Sequence, residues 1–143
     1  MGRLFAIDYG RKRIGIAVSD ETQIIANALT TVPAHQIFGF INGYLAENEV
    51  ECFVVGLPVD MAGRPSESSQ YIEPFVKKLK KLYPNIPVYR VDERFTSVLA
   101  HDAILMSGAK KTKRQDKALV DRVSATIILQ SFMENPQFYK DRS

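Results

Sequence analysis

Cysteine, histidine and tryptophan are nearly missing from this sequence, and their scarcity excludes several kinds of site. The 143 residues include one cysteine, two histidines and no tryptophan. The lone thiol of Cys52 cannot form a disulfide within the chain, and its apolar neighbours indicate a buried, unreactive side chain. His35 and His101 are too far apart in the sequence to supply, with one cysteine, the ligand spacing of a zinc site. A disulfide framework and a zinc centre are therefore both excluded.

Long apolar runs are also missing. No stretch approaches the roughly 18 apolar residues that a membrane-spanning helix needs. The apolar stretch near the start is too short for a signal peptide, and Ala6 stands where the myristoylation pattern requires Ser or Thr. We therefore expect a soluble, cytoplasmic protein with no membrane partner.

Neither sign of charge dominates the sequence. Nineteen Lys and Arg residues against sixteen Asp and Glu residues give a net charge of +3, which permits a polyanionic partner without requiring one. Hydrophobic residues make up 45% and charged residues 24% of the chain, the composition of an ordinary globular protein. The length suits a single domain over residues 1–143 that buries a core of its own.

Apolar patterning predicts strands that alternate with helices. Short apolar runs predict strands at residues 4–7, 14–18, 28–32, 52–57 and 87–92. Apolar residues at helical spacing predict helices at residues 37–47, 66–82, 97–106 and 117–133. The second helix has Ser66 as a candidate N-cap and an apolar side formed by Tyr71, Ile72, Phe75, Val76, Leu79 and Leu82. Because a polar turn joins the first two strands as a hairpin, the pattern indicates an α/β sheet of mixed direction.

Acidic residues stand at the ends of two predicted strands and on the apolar side of the last predicted helix, where a purely structural role is least expected. Asp8 ends the first strand, and Asp92 and Glu93 end the fifth, where ligands of open α/β sheets bind. Asp121 continues an apolar stripe of the last helix that comprises Ala125, Ile128 and Phe132, where a bare buried charge is costly. Structural alternatives stay open for each: Asp8 as a turn former, Asp92 and Glu93 as solvated charges, and Asp121 as the partner of a core arginine or a helix cap.

These carboxylates would repel one another unless a cation held them together. Hard divalent cations such as Mg²⁺ take oxygen ligands, and two of them about 4 Å apart can activate a water and stabilise the leaving oxygen of a phosphodiester. The basic residues near the acids suit an anionic substrate: Arg11, Lys12, Arg13, Arg94, Lys110, Lys111, Lys113, Arg114 and Lys117. Residues 110–117 have no apolar anchor and are expected to form a mobile loop.

Four blocks of sequence, in order, resemble those of the YqgF/RuvX family, the Holliday-junction-resolvase-like nucleases linked to pre-16S rRNA processing. They are Asp8–Asp20, Gly56-Leu57-Pro58 with Gly63, Asp92–Ser97, and Val120-Asp121 leading into Ala125–Gln130. The resemblance spans nearly the whole chain. Arg122 and Ser124 depart from the pattern only locally.

The resemblance implies a ribonuclease H-like fold and a metal-dependent nuclease site. The expected α/β fold has a five-stranded mixed sheet, an initial antiparallel hairpin or meander followed by parallel strands, flanked by helices. The matching catalytic acids and ligands of Mg²⁺ or Mn²⁺ are Asp8, Glu93 and Asp121, with Asp92 in reserve because strand alternation sends neighbours to opposite faces. The expected substrate-binding residues are Arg11, Lys12, Arg13, Arg94, Lys113, Arg114 and Lys117.

Two glycines beside Asp8 also fit such a site. Gly10 is expected to allow the backbone of the turn, and Gly15 to let a substrate strand approach. The same Asp-x-Gly hairpin also opens phosphotransferases of the sugar-kinase and actin type, but those need two such domains. A P-loop is excluded because Ile16 stands where its lysine is required.

The acidic residues favour hydrolysis of phosphodiester bonds, and the family resemblance implies that this reaction serves to process the 5′ end of pre-16S rRNA. A Holliday junction resolvase acting on branched DNA and a non-catalytic nucleic-acid-binding module stay open as alternatives. Three uncompensated carboxylates count against the binding module, because they would repel a phosphate backbone. The sequence shows no aromatic platform for unpaired bases, and it leaves monomer and homodimer open.

Overall fold

The computed structural model describes residues 2–57, 69–92 and 117–134, with only the backbone for residues 117–122. The helix expected at 97–106, the candidate cap Ser66 and residues 110–116 of the expected basic loop lie outside these ranges.

Five strands form one sheet, as the sequence predicts. They are β1 (Arg3–Tyr9), β2 (Arg13–Ser19), β3 (Ala26–Pro33), β4 (Val50–Leu57) and β5 (Val88–Asp92), arranged in the order β3-β2-β1-β4-β5. The pairs β1–β2 and β2–β3 are antiparallel, whereas β1–β4 and β4–β5 are parallel. The mixed sheet is therefore confirmed, and its first strand is the central one.

The third strand is longer than its sequence pattern predicts. It begins at Ala26 and continues through Pro33, which lies opposite Arg13 of β2. Proline is tolerated there because β3 is an edge strand, so the missing N–H breaks no ladder on its outer side.

Three described helices cover the two faces of the sheet. They are α1 (Ile37–Glu47), which follows a single 3₁₀ turn, α2 (Ser69–Leu82) and α3 (Lys117–Glu134). Helices α1 and α2 pack on one face against large side chains such as Phe5, Ile7 and Phe53, and α3 packs on the other. None of the helices in the described ranges is long and apolar enough to cross a bilayer.

The layer beneath α3 is built from small residues. Ala6 of β1, Ala17 of β2 and Ala125 of α3 are all fully buried in one cluster with Ile128 and Leu129. Short side chains let a helix approach a sheet closely, because interiors are packed to the density of organic crystals. The apolar stripe predicted for the last helix is thus confirmed at Ala125, Ile128 and Phe132.

The apolar side of α2 is narrower than predicted. Its central positions are buried as expected, namely Ile72, Phe75, Val76 and Leu79. Tyr71 and Leu82, however, are 40% and 48% exposed. Leu82 ends the helix, and Tyr71 lies one position, about 100° of helical rotation, away from Ile72 and so on the flank of the stripe. Tyr71 and Leu82 thus lie at the margins of the predicted apolar side, outside the buried part of it.

Candidate active site

Asp8 lies near the carboxyl end of the central strand, between two residues that have no side chain. It is in register with Gly15 of β2, and because Ile7 pairs with Val55, the next residue beside it on β4 is Gly56. Because both neighbours are glycine, no side chain projects from β2 or β4 next to the Asp8 side chain.

Alternation along β1 puts Asp8 on the face that α3 covers. Leu4 and Ala6 pack in the α3 cluster, and Asp8 follows them at the same period of two. Asp121 belongs to α3, one turn before the fully buried Ala125. The two elements that carry Asp8 and Asp121 are thus packed together, while the Asp121 side chain lies outside the described atoms.

The fifth strand places Asp92 at its end, on the face opposite Asp8. Tyr89 and Val91 pack toward α3, whereas Arg90 bonds to α2 on the opposite face. Asp92 follows Arg90 by two residues and so shares that opposite face, away from Asp8. Glu93 lies outside the described residues, and within the described ranges no three His, Cys, Asp or Glu side chains come together.

Arg90 ties the end of β4 to helix α2 beside this site. Its guanidinium makes a bidentate pair with Glu73, with nitrogen-to-oxygen distances of 2.8 and 2.9 Å. It also donates to the carbonyl oxygens of Gly56 at 2.8 Å and Val55 at 3.3 Å. The hydrogen bonds from Arg90 hold the pKa of the Glu73 carboxyl below its ordinary value. Nothing in the sequence pattern singled out this pair, because the two residues are 17 positions apart.

The β1–β2 turn requires glycine for a reason other than the expected one. The backbone of Gly10 is not in the left-handed region, but a Cβ at this position would lie 2.2 Å from the carbonyl oxygen of Arg13. Gly10 is therefore needed for a close approach across the turn.

The predicted substrate-binding residues divide into two groups. Arg11 and Lys12 are exposed in the β1–β2 turn, and Arg13 is partly exposed at the start of β2. The Arg11 guanidinium lies 4.7 Å from the ring centroid of Tyr71 on α2. The other group lies outside the described side chains: Arg94, Lys113, Arg114 and Lys117.

Asp20, the last residue of the first sequence block, lies at the opposite end of β2 from the site. Its carboxylate accepts hydrogen bonds from the backbone N–H groups of Ile24 and Ile25, each at 2.8 Å, and from the Thr22 hydroxyl. These bonds, that from Ile25 foremost, hold the pKa of Asp20 below its usual range. This acid organises the β2–β3 turn and is not part of the site.

A mixed five-stranded sheet in this order, covered by helices on both faces, with a carboxylate at the end of its central strand, defines the ribonuclease H-like class. The same fold is found in Thermus thermophilus RuvC, whose structure in complex with a Holliday junction substrate superposes with a TM-score of 0.55 at 14% identity. That match covers 94% of this chain and 96% of RuvC. Within the class, the chain belongs to the RuvX family, described as Holliday junction resolvase, whose model matches residues 2–135.

Similar sequences occur in several bacteria. A protein of Bacteroides thetaiotaomicron is 59% identical over 138 residues, covering 96% of this chain and all of the relative. Relatives from Bacteroides fragilis and Flavobacterium johnsoniae are 60% and 48% identical, covering 94% and 96% of this chain and 97% and 100% of their own lengths. All three are named as pre-16S rRNA nucleases.

Proposed function

We propose that this protein is a metal-dependent nuclease that hydrolyses phosphodiester bonds in processing the 5′ end of pre-16S rRNA. The observation that carries the proposal is Asp8, a carboxylate at the end of the central strand with glycine on both sides. The names of relatives that align along nearly their whole length support the same function. We further propose that the protein works in the cytoplasm.

The donor set suits Mg²⁺ or Mn²⁺. Asp8 offers hard carboxylate oxygens, the ligand type that these cations prefer, and we assign Glu93 and Asp121 as the other ligands. When bound, the metal would supply a hydroxide nucleophile and stabilise the leaving oxygen. Asp92 is excluded from this set because it shares the opposite face of β5 with Arg90.

The remaining residues bind and position the substrate. Gly15 and Gly56 have no side chains that would block a phosphate from the Asp8 carboxylate. Arg11 and Lys12 lie in the adjoining turn and Arg13 at the start of β2, and all three neutralise phosphates near the scissile bond. We assign the same role to Arg94, Lys113, Arg114 and Lys117. Arg90 fixes the carbonyl end of β4 and so holds Gly56 in place.

The test is a cleavage assay on three substrates at equal concentration: a precursor 16S rRNA fragment with its 5′ extension, an unstructured RNA and a four-way DNA junction. We expect cleavage of the precursor in Mg²⁺ or Mn²⁺ and none in EDTA. Preferential cleavage of the junction would instead make branched DNA the substrate. Two symmetric cuts in a junction need a homodimer, so the mass of the protein in solution is measured alongside. Binding without cleavage of any substrate would leave a non-catalytic module and overturn the proposal.

A further inference from the structure

Arg11 and Tyr71 form a cation–π pair at the surface. The guanidinium carbon of Arg11 lies 4.7 Å from the Tyr71 ring centroid. Arg11 is exposed, and Tyr71 keeps 40% of its surface in contact with solvent. Because both groups are planar and open to water, the pair offers an aromatic ring and a guanidinium side by side to a ligand.

The pair stands on a rigid base. Two residues before Arg11, the ring of Tyr9 packs against that of Phe75 at a centroid distance of 4.6 Å, with the two planes tilted by 31°. Phe75 is one helical turn beyond Tyr71 and only 5% exposed. The contact of Tyr9 with Phe75 therefore fixes the end of β1 against α2 within one turn of Tyr71, close to the Arg11–Tyr71 pair.

The pair also lies at the site's own edge of the sheet. Arg11 follows Asp8 by three residues in the β1–β2 turn. Helix α2 begins at the carboxyl edge, because it connects the end of β4 with the start of the parallel strand β5. Asp8 and Tyr71 therefore stand at the same edge of the sheet, Asp8 on the α3 face and Tyr71 on the helix that covers the opposite face.

We propose that Arg11 and Tyr71 form a base-stacking subsite that receives one unpaired base of the nucleic-acid substrate. Unpaired bases stack on aromatic rings and on arginine planes, and the free N–H groups of the guanidinium bind the adjoining phosphate. A base inside a duplex has both faces covered by its neighbours and cannot enter. The subsite makes the enzyme prefer a single-stranded segment beside the cut. Its role in selecting substrates depends on the proposed nuclease function, but its binding of a base does not.

The experiment measures binding without cleavage. A 12-nucleotide fluorescein-labelled RNA, its blunt duplex and the corresponding single-stranded DNA are titrated in EDTA by fluorescence anisotropy. Tyr71→Ala is expected to weaken binding of both single strands by about fivefold to a hundredfold, the range for one stacked base, and to leave the duplex unchanged. Tyr71→Phe should restore the affinity, since the ring is kept.

Two further variants separate stacking from charge. Arg11→Lys keeps the positive charge but loses the planar face, so it should weaken single-strand binding while leaving the salt dependence unchanged. Lys77→Gln, on the exposed side of α2, removes a charge outside the subsite and should shift single strand and duplex alike. Melting temperatures identify any variant that fails to fold.

Equal affinity of Tyr71→Ala and wild type for the single strands would overturn the subsite, and so would an equal loss for strand and duplex. A difference confined to RNA would assign recognition to the ribose as well as the base. The outcome of these titrations is independent of the cleavage assay. The titrations contain no metal and measure binding only, whereas the cleavage assay measures metal-dependent hydrolysis.

Discussion

Asp8 combines a fixed position with open surroundings, and this combination decides what its substitution should do. The residue is in the middle of the sheet, yet its side chain is only half-buried and has glycine on both sides. Its position is therefore set by the backbone of three strands. Changing the carboxylate should alter the chemistry without disturbing the packing.

Asp8→Asn is expected to reduce cleavage by about a hundredfold or more, because the substitution keeps the size of the side chain but removes a charged metal ligand. Binding of RNA in EDTA should be retained or become tighter, since one carboxylate that repels phosphate is gone. Stability should be maintained. Initial cleavage rates, anisotropy titrations and urea unfolding measure the three quantities. A variant that cleaves at the wild-type rate would contradict the assignment of Asp8.

Gly10→Ala tests the close approach across the β1–β2 turn. The new Cβ would lie 2.2 Å from a backbone oxygen that cannot move aside as a side chain would. We expect a loss of about 1–3 kcal/mol in the free energy of unfolding, typical of overpacking. The matched control is Gly39→Ala on α1, where nothing lies within 4 Å, and which should stabilise by about 0.5–1 kcal/mol. Similar unfolding midpoints for the two variants would contradict the explanation.

At the scale of elements, the strands and helices near the site were predictable because each has a strong local pattern. The run at Cys52–Val55 is buried on both faces, as its uninterrupted apolar character indicates. The faces of side chains at helix margins were less predictable. Tyr71 has the apolar character of its neighbours in the sequence, and only the position of the β1–β2 turn shows that it meets Arg11.

The Glu73–Arg90 pair connects α2 to the sheet and should make stability depend on pH. Arg90 lowers the pKa of Glu73 below 4.5, its ordinary value. A carboxyl with a lowered folded-state pKa stabilises the protein above its unfolded-state pKa, and that contribution is lost as pH falls through the folded-state pKa.

Glu73→Gln should therefore lower the free energy of unfolding at pH 7 and make it less dependent on pH below 4.5. The loss at pH 7 should be modest, because the Glu73 side chain is 43% exposed and solvent screens the pair. Urea unfolding between neutral and acidic pH measures both effects, and the exposed Glu47→Gln is the control. A pH profile parallel to that of the wild type would show that the pair does not contribute.

Lys113 and Arg114, which precede the last helix in the sequence, are expected to bind the nucleic-acid backbone. We expect the double substitution Lys113→Gln and Arg114→Gln to weaken RNA binding and to reduce the slope of its salt dependence by about one to two. Titrations at several salt concentrations give this slope. An unchanged slope would mean that these residues do not contact phosphates.

At the scale of the whole molecule, the family and the ribonuclease H-like fold were predictable, because four motif blocks stand in order along nearly the full chain. The site was predictable only in part. Asp8 was expected from its place at the end of the first strand and from the family resemblance, and strand alternation predicted that Asp92 faces away from it. The hydrogen bonds of Arg90 to Glu73 and Gly56 and the contact between Arg11 and Tyr71 join segments that are distant in the sequence. No local pattern predicts them.

The two faces of the sheet differ in the size of their side chains, and the α3 face should be the more sensitive to added volume. Ala6→Val adds two methyl groups beneath α3, where Ala6 is fully buried. We expect a loss of about 1–3 kcal/mol in the free energy of unfolding and a fall in cleavage of about a hundredfold, which a misplacement of about 1 Å can cause. Ala28→Val on the exposed edge strand is the control. Normal cleavage by a destabilised Ala6→Val would contradict this expectation.

The alanines beneath α3 act as a spacer of fixed thickness. They are fully buried, and their thickness sets how far the backbone of α3, which carries Asp121, stands from the strand that carries Asp8. A cation accepts only a narrow range of ligand distances, so in the proposed metal site these core methyl groups would set the spacing of the ligands. We therefore expect sequence changes in this layer to alter cleavage even when every proposed site residue is kept.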